Sequence, residues 1–116
     1  MQSVKNALSL RIFINEQDAW RHRPLYRVIV ESAHDAQLAG ATAWQGLLSF
    51  GSGAHLHSAR LLDFAADLPI IIEIIDEEDE INQFIPVLDR LFDESGCGGT
   101  IICEEIAMRH FPHKKH

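Results

Sequence analysis

Leu68-Pro69-Ile70-Ile71-Ile72-Glu73-Ile74-Ile75 is the stretch on which the fold turns. Its β-branched residues favour a strand. Isoleucines at both odd and even positions make both faces of that strand apolar, because side chains alternate with a period of two. The run contains Pro69 and Glu73 and falls far short of the roughly 20 apolar residues of a membrane span. Immediately after it come the acids Asp76 to Glu80. Acids are favoured at a helix N-terminus by the macrodipole and the free N–H groups there. Ile81, Phe84, Ile85, Leu88, Leu91 and Phe92 then recur at helical spacing. Pro86 interrupts that stripe, removes the bond to the Asn82 carbonyl and predicts a kink.

Upstream, Leu8, Leu10, Ile12 and Ile14 alternate with Ser9, Arg11 and Phe13, the pattern of a half-buried strand. Asn15 to Arg23 is a polar loop. Pro24 suits a helix start, and Leu25, Val28, Ile29, Ser32, Ala33 and Ala36 fall on one face of a helix over 25–39. Gly40 is placed to end it. Ala41 to Leu48 reads as a second strand weakened by Gly46, and Ser49 to Asp67 as a long loop rich in glycine and histidine. The third strand is Leu68 to Ile75. Ser95-Gly96-Cys97-Gly98-Gly99 is a turn, Thr100 to Ile106 a last strand, and 107–116 a flexible tail.

The order strand, helix, strand, strand, helix, strand predicts an α+β fold: the ferredoxin-like βαββαβ sandwich, a four-stranded antiparallel sheet with two helices on one face. A chain of 116 residues is expected to form one such domain, with its core over about 8–106. Two helices cover one face only. The other keeps the alternate isoleucines of the third strand, which predicts self-association.

Composition narrows the function. Hydrophobic residues make up 47% and charged residues 23%, an ordinary globular balance. With 17 acids against 10 bases, the net charge of −7 disfavours a general nucleic-acid binder. Lys5 is followed by only Ala7 and Leu8 before polar residues return, so no signal-peptide pattern is present and a cytoplasmic location is expected. Cys97 and Cys103 have neither disulfide-framework nor zinc-finger spacing and are expected as thiols. No G-x-S-x-G, H-E-x-x-H or Walker pattern occurs, and the chain is not expected to be an enzyme.

Three groups of residues carry binding chemistry. The turn amides at Gly96, Gly98 and Gly99 can face a phosphate, though such glycines also serve backbone geometry alone. His55 and His57 lie on one face of an extended chain and can hold a divalent metal with a third ligand from His34, His110 or a carboxylate; solvated histidines are the plainer alternative. Arg21, His22, Arg23 and Arg27 bracket the start of the first helix, and Arg60 lies in the long loop, with guanidinium groups suited to phosphate or carboxylate.

Leu10-Arg11-Ile12-Phe13-Ile14, Pro24-Leu25-Tyr26 and Leu38-Ala39-Gly40-Ala41-Thr42 resemble, in order, segments of the PII-like proteins of the domain-of-unknown-function 190 (UPF0166) family. So do Gly46, Phe50-Gly51, His55, His57-Ser58-Ala59-Arg60, Asp67-Leu68-Pro69, Ile72 to Asp76 and Phe84 to Asp89, which together span about residues 8–93. The resemblance implies a PII-type homotrimer with a regulatory role. It implies a small effector, typically an adenine nucleotide, in clefts between subunits. The 49–67 loop would contact a regulated protein, often a membrane transporter or ion channel. On that pattern the effector contacts are Gly46, Phe50, Gly51, Arg60, Gly96, Gly98 and Gly99. Asn15-Glu16 stands where the family has Gly-Glu, and Ser49 where it often has glycine. The 96–99 turn resembles the glycine loop before the last strand of true PII proteins but lacks its lysine. The alternative is a metal-binding trimer using His55 and His57, similar to the divalent-cation-tolerance proteins.

Overall fold

The computed structural model describes residues 5–46, 48–49, 57–58 and 68–114. Six main elements follow in chain order: β1 (Lys5–Asn15), α1 (Leu25–Asp35), β2 (Gly40–Gln45), β3 (Pro69–Glu77), α2 (Glu78–Ser95) and β4 (Thr100–Met108). The strands form one antiparallel sheet in the order β2-β3-β1-β4. This is the ferredoxin-like arrangement expected from the element order.

The register between β1 and β3 sets the core. Leu10 pairs with Ile74, Ile12 with Ile72 and Ile14 with Ile70. All six are buried, with Ile12, Ile72 and Ile74 at 0% exposure. Leu25, Val28, Ile29 and Ala33 of α1 and Ile81, Phe84, Leu88 and Leu91 of α2 complete the cluster. Both helices thus bury their apolar stripes on the same sheet face.

The helix ends differ from the sequence expectation. α1 stops at Asp35, short of the expected 39, and Gly40 opens β2 rather than ending the helix. The stop is a Schellman motif with glutamine in the left-handed position, Gln37 at φ 61°. The Gln37 N–H donates to the His34 carbonyl at 3.0 Å, and the Leu38 N–H to the Ala33 carbonyl at 3.1 Å. Leu38 then packs on the core. α2 runs unbroken through Pro86. Pro86 and Asn82 are both exposed, so water can satisfy the carbonyl that loses its partner.

Asp76 closes the molecule between these ends. It is buried, near the end of β3, rather than solvated at the start of a helix as the run of acids suggested. One carboxylate oxygen accepts the Ala39 N–H at 2.9 Å and the other the Glu77 N–H at 2.7 Å. It therefore links the entry to β2 with the entry to α2.

The open sheet face reads in rows. Trp44, Ile71, Phe13 and Thr100 form one; Thr42, Glu73, Arg11 and Ile102 the next; then Gly40, Ile75, Ser9 and Glu104. Phe13, Trp44 and Ile102 are each more than 40% exposed. In the middle row Arg11 Nε donates to Glu73 Oε2 at 2.9 Å, and the Ser9 hydroxyl donates to the same oxygen at 3.3 Å. The hydrogen bond and the charge of Glu73 hold the Arg11 guanidinium above its ordinary pKa. β4 is exposed along most of its length on both faces, Ile101 included, so the helices do not cover this edge. Residues 109–114 are exposed and outside regular structure.

Two substitutions test this frame. Ile12→Ala should lower the unfolding free energy by about 2–5 kcal/mol through lost burial and a residual cavity. Asp76→Ala should cost about 1–3 kcal/mol by leaving two N–H groups without their acceptor. Urea titration reads both, and a cost below about 0.5 kcal/mol for Asp76→Ala would remove the carboxylate from this linking role.

Candidate functional site

Three of the expected glycines have local reasons for being glycine. Gly46 follows β2, where its N–H donates to the Pro69 carbonyl at 2.8 Å. A Cβ there would lie 2.8 Å from Pro69 Cγ. Gly96 ends α2 in the left-handed region at φ 70°, and its N–H donates to the Phe92 carbonyl at 3.0 Å. Gly99 lies against the end of β1: a Cβ would meet Phe92 Cε1 at 2.8 Å and the Phe13 carbonyl oxygen at 3.0 Å. The turn is exposed at Gly96, Gly98 and Gly99 and packs on the core through the half-buried Cys97, with the backbone of Gly99 close against β1.

All these glycines lie at one end of the sheet, where β1 and β2 finish and β3 and β4 begin. They do not lie together. Gly46 is beside edge strand β2 and Gly99 beside edge strand β4, three strand spacings apart. At about 4.8 Å per spacing that is roughly 14 Å, so one chain alone does not gather them into one pocket. A neighbouring copy is needed to bring a β2 edge against a β4 edge.

The stretch read as one loop over 49–67 starts as a hairpin. Leu48 pairs with Ser58 and Ser49 with His57 in a short antiparallel ladder. The expected strand Ala41 to Leu48 is split at Gly46, with β2 ending at Gln45. Phe50, Gly51, His55 and Arg60 lie outside the described residues, as does the side chain of His57. Among the described residues no group of three His, Cys, Asp or Glu side chains stands close enough to hold a metal ion. His34 is exposed and lies 3.4 Å from Asp35 through Nδ1.

The region Asn15 to Arg23, read as a polar loop, holds a site feature that the sequence pattern did not reveal. Ala19–Trp20 pairs with Arg23–Pro24, joined by Arg21 and His22 at φ 49° and 66°. Both φ values are positive, as a type I′ turn requires. Residues with side chains pay about 1–3 kcal/mol each for such positions. Surrounding contacts fix the turn. The Leu25 N–H donates to the Asp18 carbonyl at 2.8 Å, the Asn15 N–H to Asp18 Oδ2 at 2.9 Å, and Arg23 pairs with Glu31. The hairpin leans on the end of α2: Trp20 Nε1 donates to Glu94 Oε1 at 3.0 Å, and the Cys97 thiol to the Ala19 carbonyl at 3.6 Å. Arg21 stacks on the Trp20 ring at 4.5 Å, with Nη2 3.8 Å from Glu94 Oε2. Arg21 and the glycine turn, distant in sequence, therefore share one corner. A lone tryptophan in a polar loop was the available signal. The Arg-His pair lacks the Asn-Gly signature that marks such turns.

At the other end of the sheet a groove of about 270 Å³ is lined by Asn6, Ala7, Glu78, Glu105, Ile106 and Ala107. Its two carboxylates make it unsuited to an anionic effector. No helix among the described residues is long and apolar enough to cross a membrane.

Comparison with known proteins agrees with this fold. The model of the uncharacterized family DUF190 matches residues 7–108. A UPF0166 protein of Aquifex aeolicus is 34% identical over 85 residues, covering 73% of this chain and 80% of the relative. One of Methanocaldococcus jannaschii is 26% identical over 87 residues, covering 75% and 80%. Among solved structures the fold is similar to CPII, a nitrogen regulatory PII-like protein from Thiomonas intermedia, bound to ADP, AMP and bicarbonate. The TM-score is 0.70 at 14% identity, with 95% of this chain and 94% of that chain covered. The apo form of CPII aligns with a TM-score of 0.59, again over 95% of this chain and 99% of that one.

The glycine geometry makes its own prediction. Gly99→Ala should destabilise the protein by about 1–3 kcal/mol, since a rigid carbonyl and an aromatic ring bar the methyl group. Gly40→Ala, with nothing within 4 Å of the new atom, should change stability by less than about 0.5 kcal/mol. Thermal unfolding of the two variants side by side checks the contrast.

Proposed function

The chain belongs to the DUF190 (UPF0166) family, and from that premise we propose that it is a trimeric PII-like regulator that binds an adenine nucleotide between subunits. The fold it shares with CPII over nearly its whole length carries this reading, because CPII binds ADP, AMP and bicarbonate. The separation of Gly46 from Gly99 supports an intersubunit position for the ligand. So does the open sheet face, whose Phe13, Trp44 and Ile102 gain cover when copies associate. The bare edge at β4 argues the same way, since exposed apolar edges invite pairing.

In this reading Gly46, Phe50 and Gly51 contact the effector from one copy and Gly96, Gly98 and Gly99 from its neighbour. Arg60 supplies a charged contact. The effector orders the 49–67 segment, which regulates a partner protein of the membrane transporter or ion channel class from the cytoplasm. The partner must tighten the effector by the same factor as the effector tightens the partner. The role is regulatory, with no turnover of the effector.

Thermal shift on nucleotide-stripped protein tests the reading, with AMP, ADP, ATP, cyclic AMP, bicarbonate and divalent metals as probes. A ligand at 100 times its Kd stabilises the native state by about 2.7 kcal/mol. A saturable rise with ADP or AMP is expected. The absence of any nucleotide effect would overturn the effector assignment, and a rise with a divalent metal alone would favour a metal-binding trimer. Sedimentation equilibrium should give three times the chain mass. Trp44→Glu, which sets a charge into the uncovered face, should shift that mass to one chain.

A further inference from the structure

The glycine turn lies at an electrostatically adverse place for an anion. It follows the C-terminus of α2, the negative end of the helix dipole. The last turn of that helix carries Asp93 and Glu94 and no basic residue. The Gly96 N–H is taken by the Phe92 carbonyl and the Cys97 N–H by Ser95 Oγ. Among the described residues the Gly98 and Gly99 N–H groups have no acceptor. Two amides alone do not outweigh a helix C-terminus and two carboxylates. An anion here needs a cation, and the turn itself contains none.

The 19–24 hairpin brings one. Its two left-handed residues turn the chain so that Trp20 and Arg21 meet Glu94. The Cys97 thiol on the Ala19 carbonyl fastens the glycine turn to the same hairpin. Arg21 lies with its guanidinium over the Trp20 ring, an arrangement that leaves the N–H edge free to bond. That edge meets Glu94 at 3.8 Å, with the arginine side chain 70% exposed. An ion pair so open and so long is weak and easily exchanged.

We propose that Arg21 is the cation of the glycine-turn site: Glu94 holds it while the site is empty, and a phosphate group takes the place of Glu94 when a ligand binds. The inference rests on the reading that the effector lies at this turn, and it names the residue that makes phosphate binding there feasible. Arg21 stands in for a lysine that the turn lacks, supplied from a distant part of the chain. Trp20 is the stacking platform, and its indole N–H keeps Glu94 in place.

Two residues of opposite charge give the test opposite signs. The full-length protein is prepared with Trp44→Phe, so that Trp20 is its sole tryptophan, and titrated with ADP and with inorganic pyrophosphate while Trp20 fluorescence is followed. Arg21→Gly removes the charge at a position whose positive φ suits glycine, so the variant should fold with a Tm no lower than the parent. It should lose affinity for both probes by about tenfold or more, the loss of a charge-assisted hydrogen bond. Arg21→Lys should retain part of the affinity. Glu94→Gln keeps an acceptor for the Trp20 N–H, frees Arg21 and should tighten both probes several-fold. ADP binding that is equal in the parent, Arg21→Gly and Glu94→Gln overturns the role of Arg21 and leaves the nucleotide regulator standing. Weakening by both substitutions also overturns it, since that is the mark of a merely structural corner. Arg21-dependent binding of pyrophosphate without any binding of ADP upholds Arg21 and overturns the nucleotide. Binding of neither probe overturns both.

Discussion

The β1–β3 ladder is the constraint on which the rest of the structure depends. Leu10, Ile12 and Ile14 face the helices only because they pair with Ile74, Ile72 and Ile70. A slip of β1 by one residue would turn Ser9 and Arg11 into the core and Leu10, Ile12 and Ile14 outward. The cost of burying those polar groups fixes the register without any special turn. β2 and β4 flank this central pair as the two edge strands. Asp76 then ties the α1–β2 connection to the start of α2 by accepting one backbone N–H from each.

The same ladder creates the molecule's unfinished side. β3 is apolar in both directions, and only one direction has helices over it. The uncovered rows are not uniformly apolar, since Arg11 and Glu73 face each other between Phe13 and Ile75. A purely apolar face would accept many orientations of a second copy. A charged pair at its centre penalises arrangements that bury it without further hydrogen bonds. The open face thus carries both the drive to associate and a restriction on how.

Legibility in the sequence followed the range of the interactions involved. Alternation along β1 and β3 and the stripes of α1 and α2 are local patterns, and they place every main element within a few residues. The end of α1 was missed because glutamine, rather than Gly40, takes the left-handed position after the helix. Asp76 sat in a run of acids, and nothing in the run distinguishes the buried one, whose partner N–H belongs to Ala39. Gly46 and the 96–99 turn were identifiable from their glycines, but their placement on opposite sheet edges depends on strand order. The Trp20–Arg21–Glu94 corner was the least legible, because it joins segments more than 70 residues apart.

That corner also explains why two residues with side chains are kept in a left-handed turn. Glycine at either position would be the less strained choice. Hydrogen bonds from both flanks fix the hairpin on its outer side, and Glu94 and Cys97 fix it on the inner side. The strain is therefore offset by packing, which accounts for its persistence but not for the choice of arginine. Arginine at the tip of such a turn has its backbone fixed and its side chain largely in water. A guanidinium presented in this way loses less freedom on meeting an anion than one on a mobile loop, because stacking on Trp20 has already restricted it. Pre-ordering of that kind matters most where the local field is unfavourable, and the end of α2, with its dipole and its two acids, is such a place.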